Sequence, residues 1–183
     1  MAAPTRTPRS RWIDEGLRAL AAGGPDAVRI ESLAQKLGVT KGGFYWHFND
    51  RQALLEEMLD TWERKVVDEA INRVEGETGD ARAKLRRLFV LAASLGHLAK
   101  AELAIRDWAR RDKTVGEHIN RVDNRRMDYM RSLYRAFCSN EDDVEVRCLF
   151  TASLFTSSHL LTADNGPRDP SDVMQLALDQ LLA

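Results

Sequence analysis

The residues that most restrict how this chain folds are Gly38, Val39 and Thr40, a corner between two short helical runs. Ahead of the corner, Leu33, Ala34 and Leu37 fall at i, i+1 and i+4 and share one helical face. Gly38 follows at once, the usual left-handed stop of a helix. Val39 is apolar and fills the angle between the runs. Thr40 stands where its hydroxyl can accept a backbone N–H from the first turn of a second helix. Phe44 and Phe48, four residues apart, share one buried side of that second helix. The pattern predicts two short helices set at an angle.

The opposite face of the second run then carries Lys41, Gly42, Gly43, Tyr45, Trp46 and His47. Each glycine costs roughly 1 kcal/mol against Ala in a helix interior. Glycine also lets a main chain come close to another surface. Lys, Tyr and His bind phosphate oxygens, and a helix N-terminus favours anions. This combination predicts a helix pressed into an anionic surface, most simply a DNA groove. The competing reading is that the aromatic run is core packing, as aromatics mostly are.

Residues Ala34 to Leu54 resemble the DNA-binding signature of the TetR family of bacterial regulators. Ala34, Gly38, Val39, Thr40, Lys41, Gly42, Phe44, Tyr45, His47, Phe48, Arg51 and Leu54 stand at its fixed positions. The resemblance implies an all-α protein. A three-helix helix-turn-helix head (residues 1–50, with the arm) would be joined by a long bridging helix to a helical ligand-binding and dimerisation bundle (51–183). It also implies a repressor released from a palindromic operator by a small ligand. Two positions depart from the family. Arg29 stands where Ser or Thr is usual at the start of the second helix, and Gly43 where a hydroxyl or methyl is usual.

A net charge of −1 argues against binding nucleic acid by bulk charge, though not against a local basic patch. Arg6, Arg9 and Arg11 precede any acid in the chain. Met1 to Pro8 reads as a flexible arm, either a solvated tail or one that reaches along DNA. Cys138 and Cys148 form no CxxC pair and have no His at zinc spacing, which favours free thiols over a redox switch. No run has the length of a membrane span and no apolar signal segment opens the chain, so the expected setting is cytoplasmic, without a membrane partner.

Along the chain, Ile13, Leu17 and Leu20 predict a first helix from Arg9 or Ser10 to Gly23. Asn49-Asp50-Arg51 turns into a bridging helix with an apolar stripe from Leu54 to Val66, running to about Val74. Glu75 to Gly79 breaks it. Beyond Asp80 every periodic run is helical: Leu85 to Leu95 with Gly96-His97 near its end, a short run over Leu103 to Trp108, a long one over Val115 to Phe137, then Val144 to Leu161. A turn-rich loop at 163–168 precedes a last helix capped by Asp169 with Pro170 at its first position. The penultimate helix is apolar on more than one side, so the last two helices are the expected homodimer seam.

For DNA, the expected contacts are Arg29, Thr40, Lys41, Tyr45, His47 and Arg51 to phosphates, with Gly42, Gly43 and Trp46 toward bases or sugars. Arg29 reads equally as a surface charge. For an effector, Trp62, His97, Trp108, Tyr134 and Phe155 are large or polar groups at otherwise apolar positions, and each also reads as core. No nucleotide loop, HExxH or GxSxG is present, and His97, His118 and His159 lack a second His or a Cys within a turn. No enzyme, metal site or cofactor is therefore expected. The alternative function is a helical apolar-ligand-binding protein or enzyme with a vestigial helix-turn-helix.

Overall fold

The computed structural model describes residues 7–157, 160 and 166–183. Among these the regular structure is helical throughout: α1 (Arg9–Gly23), α2 (Ile30–Leu37), α3 (Arg51–Glu63), α4 (Ala70–Glu75), α5 (Ala81–Ala93), α6 (His97–Ala109), α7 (Lys113–Tyr134), α8 (Glu141–Ser157) and α9 (Pro170–Leu181). Arg6, His159, Leu161 and the first part of the 163–168 loop lie outside the described residues.

The chain forms two compact units. One holds the described residues through Glu69 together with Leu95–Val122, and the other holds Ala70–Ser94 with Asp123–Ala183. Residue 50, expected to separate the parts by role, is not where they separate by packing. The divisions fall at Glu69/Ala70, within the bridging helix, at Ser94/Leu95, and at Val122/Asp123 inside α7.

In the first unit α1 lies against α2, α3 and α6. Trp12, Ile13, Gly16, Leu17, Ala19 and Leu20 form its buried face. Each large apolar side chain hidden this way contributes about 1.5–3 kcal/mol. Gly16 lets α1 approach α3: a Cβ there would lie 2.5 Å from the Met58 sulfur. Ala99, Ala101 and Ile105 are buried on α6. That helix begins six residues before Leu103, where the sequence suggested only a short run. The reason is Gly96, whose φ of 55° breaks the chain after α5 and lets His97 start a new helix.

The bridging helix reaches Glu75, as its periodicity predicts, but it is not uniform. Arg64–Glu69 widens into a π-helical turn between α3 and α4. Glu63, just before that turn, binds α7 within the first unit. Its carboxylate lies 2.9 Å from His118 Nδ1 and accepts from Arg121 Nη2 at 3.1 Å. Lys65, inside the turn, pairs with Asp14 of α1 at 3.0 Å.

The second unit is built on Leu85 and Phe89 of α5, Met130, Leu133 and Tyr134 of α7, Val144 and Cys148 of α8, and Leu178 with Leu182 at the chain's end. Asp80 and Asp169 cap α5 and α9 through their carboxylates. The predicted Asp169-Pro170 start is therefore the one observed. Burial pushes the Cys148 thiol up to about 11 and raises that of Cys138 too, so neither is a ready thiolate.

Candidate nucleic-acid interface

The corner forms as its residues dictate. Gly38 caps α2 with φ 69° and ψ 31°, and its N–H and that of Val39 return to carbonyls of the helix's last turn. Arg29 occupies the N-cap of α2 with no side-chain cap, as its identity predicts. Its Nε donates to the Asp26 carbonyl at 3.2 Å and the side chain stays exposed.

Beyond the corner the chain departs from expectation. Lys41–Gly43 is a single 3₁₀ turn, and Phe44 to His47 continue as turns rather than as a second α-helix. The N–H groups of Gly43, Phe44 and His47 each bond three residues back, at 3.0, 3.1 and 2.9 Å. Phe44 and Phe48, packed on Trp12 and on each other, hold the chain in this tighter turn. The expected hydroxyl cap by Thr40 is also absent: the Thr40 carbonyl, not its hydroxyl, accepts from the Gly43 N–H.

The division of side chains nevertheless follows the predicted pattern. Phe44 and Phe48 are buried, stacked at 5.1 Å between ring centroids, and the Trp12 ring meets Phe44 edge-on at 5.4 Å. Tyr45 is 52% exposed and Trp46 73%. Thr40, Lys41 and Gly42 are exposed, and Gly43 and His47 partly so. The anchoring phenylalanines thus force the residues between them outward.

Lys41 and His47 are already engaged within the chain. Lys41 pairs with Glu31 of α2, and the contact holds the Lys41 ammonium above and the Glu31 carboxyl below their ordinary values. His47 Nε2 lies 2.9 Å from the Thr7 carbonyl, tying the start of the described chain to the turn. Nearby, Arg9 binds Glu57 and sits 4.6 Å over the Phe48 ring.

Arg51, expected to clamp a phosphate, has an internal task. Its Nε donates to the Val28 carbonyl at 2.6 Å and its Nη2 to the Pro25 carbonyl. Sequence reasoning missed this because those acceptors lie more than twenty residues away along the chain.

A family model described as bacterial regulatory proteins of the tetR family matches residues 13–58, the span holding this corner and its anchors. The similarity to the TetR family lies in this amino-terminal segment. Over 58 residues, 32% of its length, it is 38% identical to two regulators of Pseudomonas putida: the uncharacterized HTH-type transcriptional regulator TtgW and the HTH-type transcriptional regulator SrpR. The match spans 43% and 27% of those two proteins, less than half of either. The fold extends further than the sequence likeness. FadR of Bacillus subtilis, solved in complex with stearoyl-CoA, superposes with a TM-score of 0.70 at 16% identity, covering 96% of this chain and 98% of that one.

The residues expected to line an effector pocket divide between the units. Trp62, His97 and Trp108 belong to the first, Tyr134 and Phe155 to the second. Trp62 is fully buried, and its indole N–H, like His97 Nε2, is buried without a hydrogen-bond partner among the described residues. Burial, aided by the charge of Arg18, lowers the His97 pKa and favours the neutral ring. Tyr134 is a core residue whose hydroxyl lies 2.7 Å from that of buried Thr151. Phe155 packs on Phe89 at 4.4 Å. No helix among the described residues is long and apolar enough to cross a membrane, and no cluster of metal-ligating residues occurs among them.

Proposed function

We propose that the chain is a DNA-binding transcriptional regulator, a cytoplasmic repressor that holds a palindromic operator as a homodimer. The observation that supports this most is the outward set of Tyr45 and Trp46 over buried Phe44 and Phe48, within the matched segment. In this reading Thr40, Lys41, Tyr45 and His47 contact phosphates, joined by Arg29, while Gly42, Gly43 and Trp46 face bases or sugars. Arg51 holds the α1–α2 connection behind them. By role, residues 1–50 bind DNA and residues 51–183 regulate and dimerise.

The homodimer seam is proposed along the last two helices. The inner side of α8 is buried at Val144, Cys148 and Thr151, yet Val146, Leu149 and Phe150 are exposed on its other side, as is Leu176 on α9. Leu149 and Phe150 are 60% and 56% exposed. A helix apolar on two sides calls for a second cover, and a two-fold copy supplies it while doubling the DNA contacts.

A small effector bound by the regulatory part would release the DNA by favouring a state in which the two heads no longer match successive major grooves, roughly 34–36 Å apart. The stearoyl-CoA complex of FadR supports an effector of this general kind for the fold. Of the expected pocket residues, Trp62 and His97 suit ligand contact best, because each keeps an unpaired buried polar atom.

Selection of bound sequences from a random duplex pool, followed by gel shift at fixed salt, tests the reading. A palindromic sequence bound with salt-dependent affinity, two protomers per duplex, is the expected result. Absence of any specific complex would refute it and favour the apolar-ligand protein with a vestigial head.

A further inference from the structure

Gly42 and Gly43 are not required by the fold. Neither has a positive φ. A Cβ on Gly42 would meet nothing nearer than the Thr40 hydroxyl at 3.8 Å, and one on Gly43 only the Trp12 ring at 4.0 Å. Both are ordinary contacts, and alanine is the better helix former. Gly16 and Gly38 differ: the first faces Met58 at 2.5 Å and the second has φ 69°. Whatever suits bare positions at 42 and 43 therefore lies outside the protein.

The turn's side chains restrict what they can read there. Between Val39 and Phe48 there is no Arg, Asn, Gln, Asp or Glu, the residues that read base edges with paired or accepting groups. Lys41, which can read guanine, pairs with Glu31 and, like Tyr45, is assigned to a phosphate in the DNA-binding reading. His47 Nε2 is turned to Thr7, and a threonine hydroxyl such as that of Thr40 serves any base. The most exposed large side chain is Trp46, an apolar ring with one donor and no acceptor. The distinctive apolar feature of a major groove is the thymine C5-methyl.

We infer that this turn discriminates sequence by apolar contact of Trp46 with thymine C5-methyl groups, and that Gly42 and Gly43 are specificity-determining positions left bare so the main chain comes close enough for that contact. The inference rests on the DNA-binding reading. It names the chemical group read and the residue that reads it.

The test uses the full chain and the duplex selected by the wild type from a random pool. Each thymine is replaced in turn by deoxyuridine, which removes only the methyl. At one or two positions binding falls about fourfold, the worth of one buried methyl. Trp46→Ala binds more weakly and is insensitive to the same replacements, a non-additive pair. Gly42→Ala and Gly43→Ala bind the selected duplex on the order of tenfold more weakly, with an unfolding midpoint equal to or above wild type. Deoxyuridine without effect at every position overturns the inference, as do alanine variants that bind like wild type. A lowered midpoint in those variants also overturns it, since the glycines would then serve the interior. Failure of the wild type to select any sequence removes the DNA-binding reading itself, whereas selection followed by insensitivity to the methyl removes only this inference.

Discussion

Arg51→Met separates a structural arginine from a DNA-contacting one. Methionine keeps most of the aliphatic stem and removes both hydrogen bonds, to the Val28 carbonyl at 2.6 Å and to that of Pro25. Val28 is fully buried, so its carbonyl has few alternatives once the guanidinium goes. A hydrogen bond from a charged donor contributes about 1.5–3 kcal/mol. Arg51 is only partly buried, so the lower end applies and the pair together is worth about 2–3 kcal/mol. For a chain of this size that is a fall of roughly 4–12 °C in the unfolding midpoint. Circular dichroism melts read the stability, and the salt dependence of binding to a selected duplex reads the phosphate count. The expected result is a lowered midpoint with an unchanged slope of log affinity against log salt. A midpoint within about 1 °C of wild type, together with a slope reduced by about 0.9, is the loss of one phosphate contact. That outcome would refute the internal role.

Three further expectations come from other parts of the molecule. Tyr134→Phe strands the buried Thr151 hydroxyl and costs about 1–2 kcal/mol, while the double change with Thr151→Val recovers most of it; additive losses in denaturant melts would count against this. His97 has its pKa lowered, first by burial and then by Arg18, with Lys65 adding to the shift and Asp14 and Glu15 opposing it. The unfolded chain therefore takes up this proton first, so stability from His97 is intact above its ordinary value of about 6.5 and declines as pH falls below it. His97→Gln should flatten the stability–pH curve in that acid window alone, and superimposable curves would exclude the effect. Phe150→Glu places a charge in the exposed apolar face of α8 and should convert a dimer to monomers by light scattering without lowering the melting of dilute protein by more than about 1 kcal/mol; a dimer that survives it uses another face.

The order of residues was enough for the features that local chemistry controls. Gly38 ends α2 because a residue without Cβ takes the left-handed conformation freely, and Asp50, Asp80 and Asp169 start helices because a short carboxylate reaches the first free N–H groups. Phe44 and Phe48 sit inward, and the residues between them outward, because spacing along a turn sets direction before any partner is present. Packing in three dimensions was needed to bring the polar groups of distant segments together. It assigned Arg51 to the carbonyls of Pro25 and Val28, His47 to Thr7, and Glu63 to His118 and Arg121. It also turned the expected recognition helix into a 3₁₀ turn, widened the bridging helix at Arg64–Glu69, and left Trp62 and His97 with buried polar atoms that have no hydrogen-bond partner among the described residues. Those outcomes depend on which backbone acceptors and side chains packing brings within about 3 Å, and separation along the chain carries no measure of that distance.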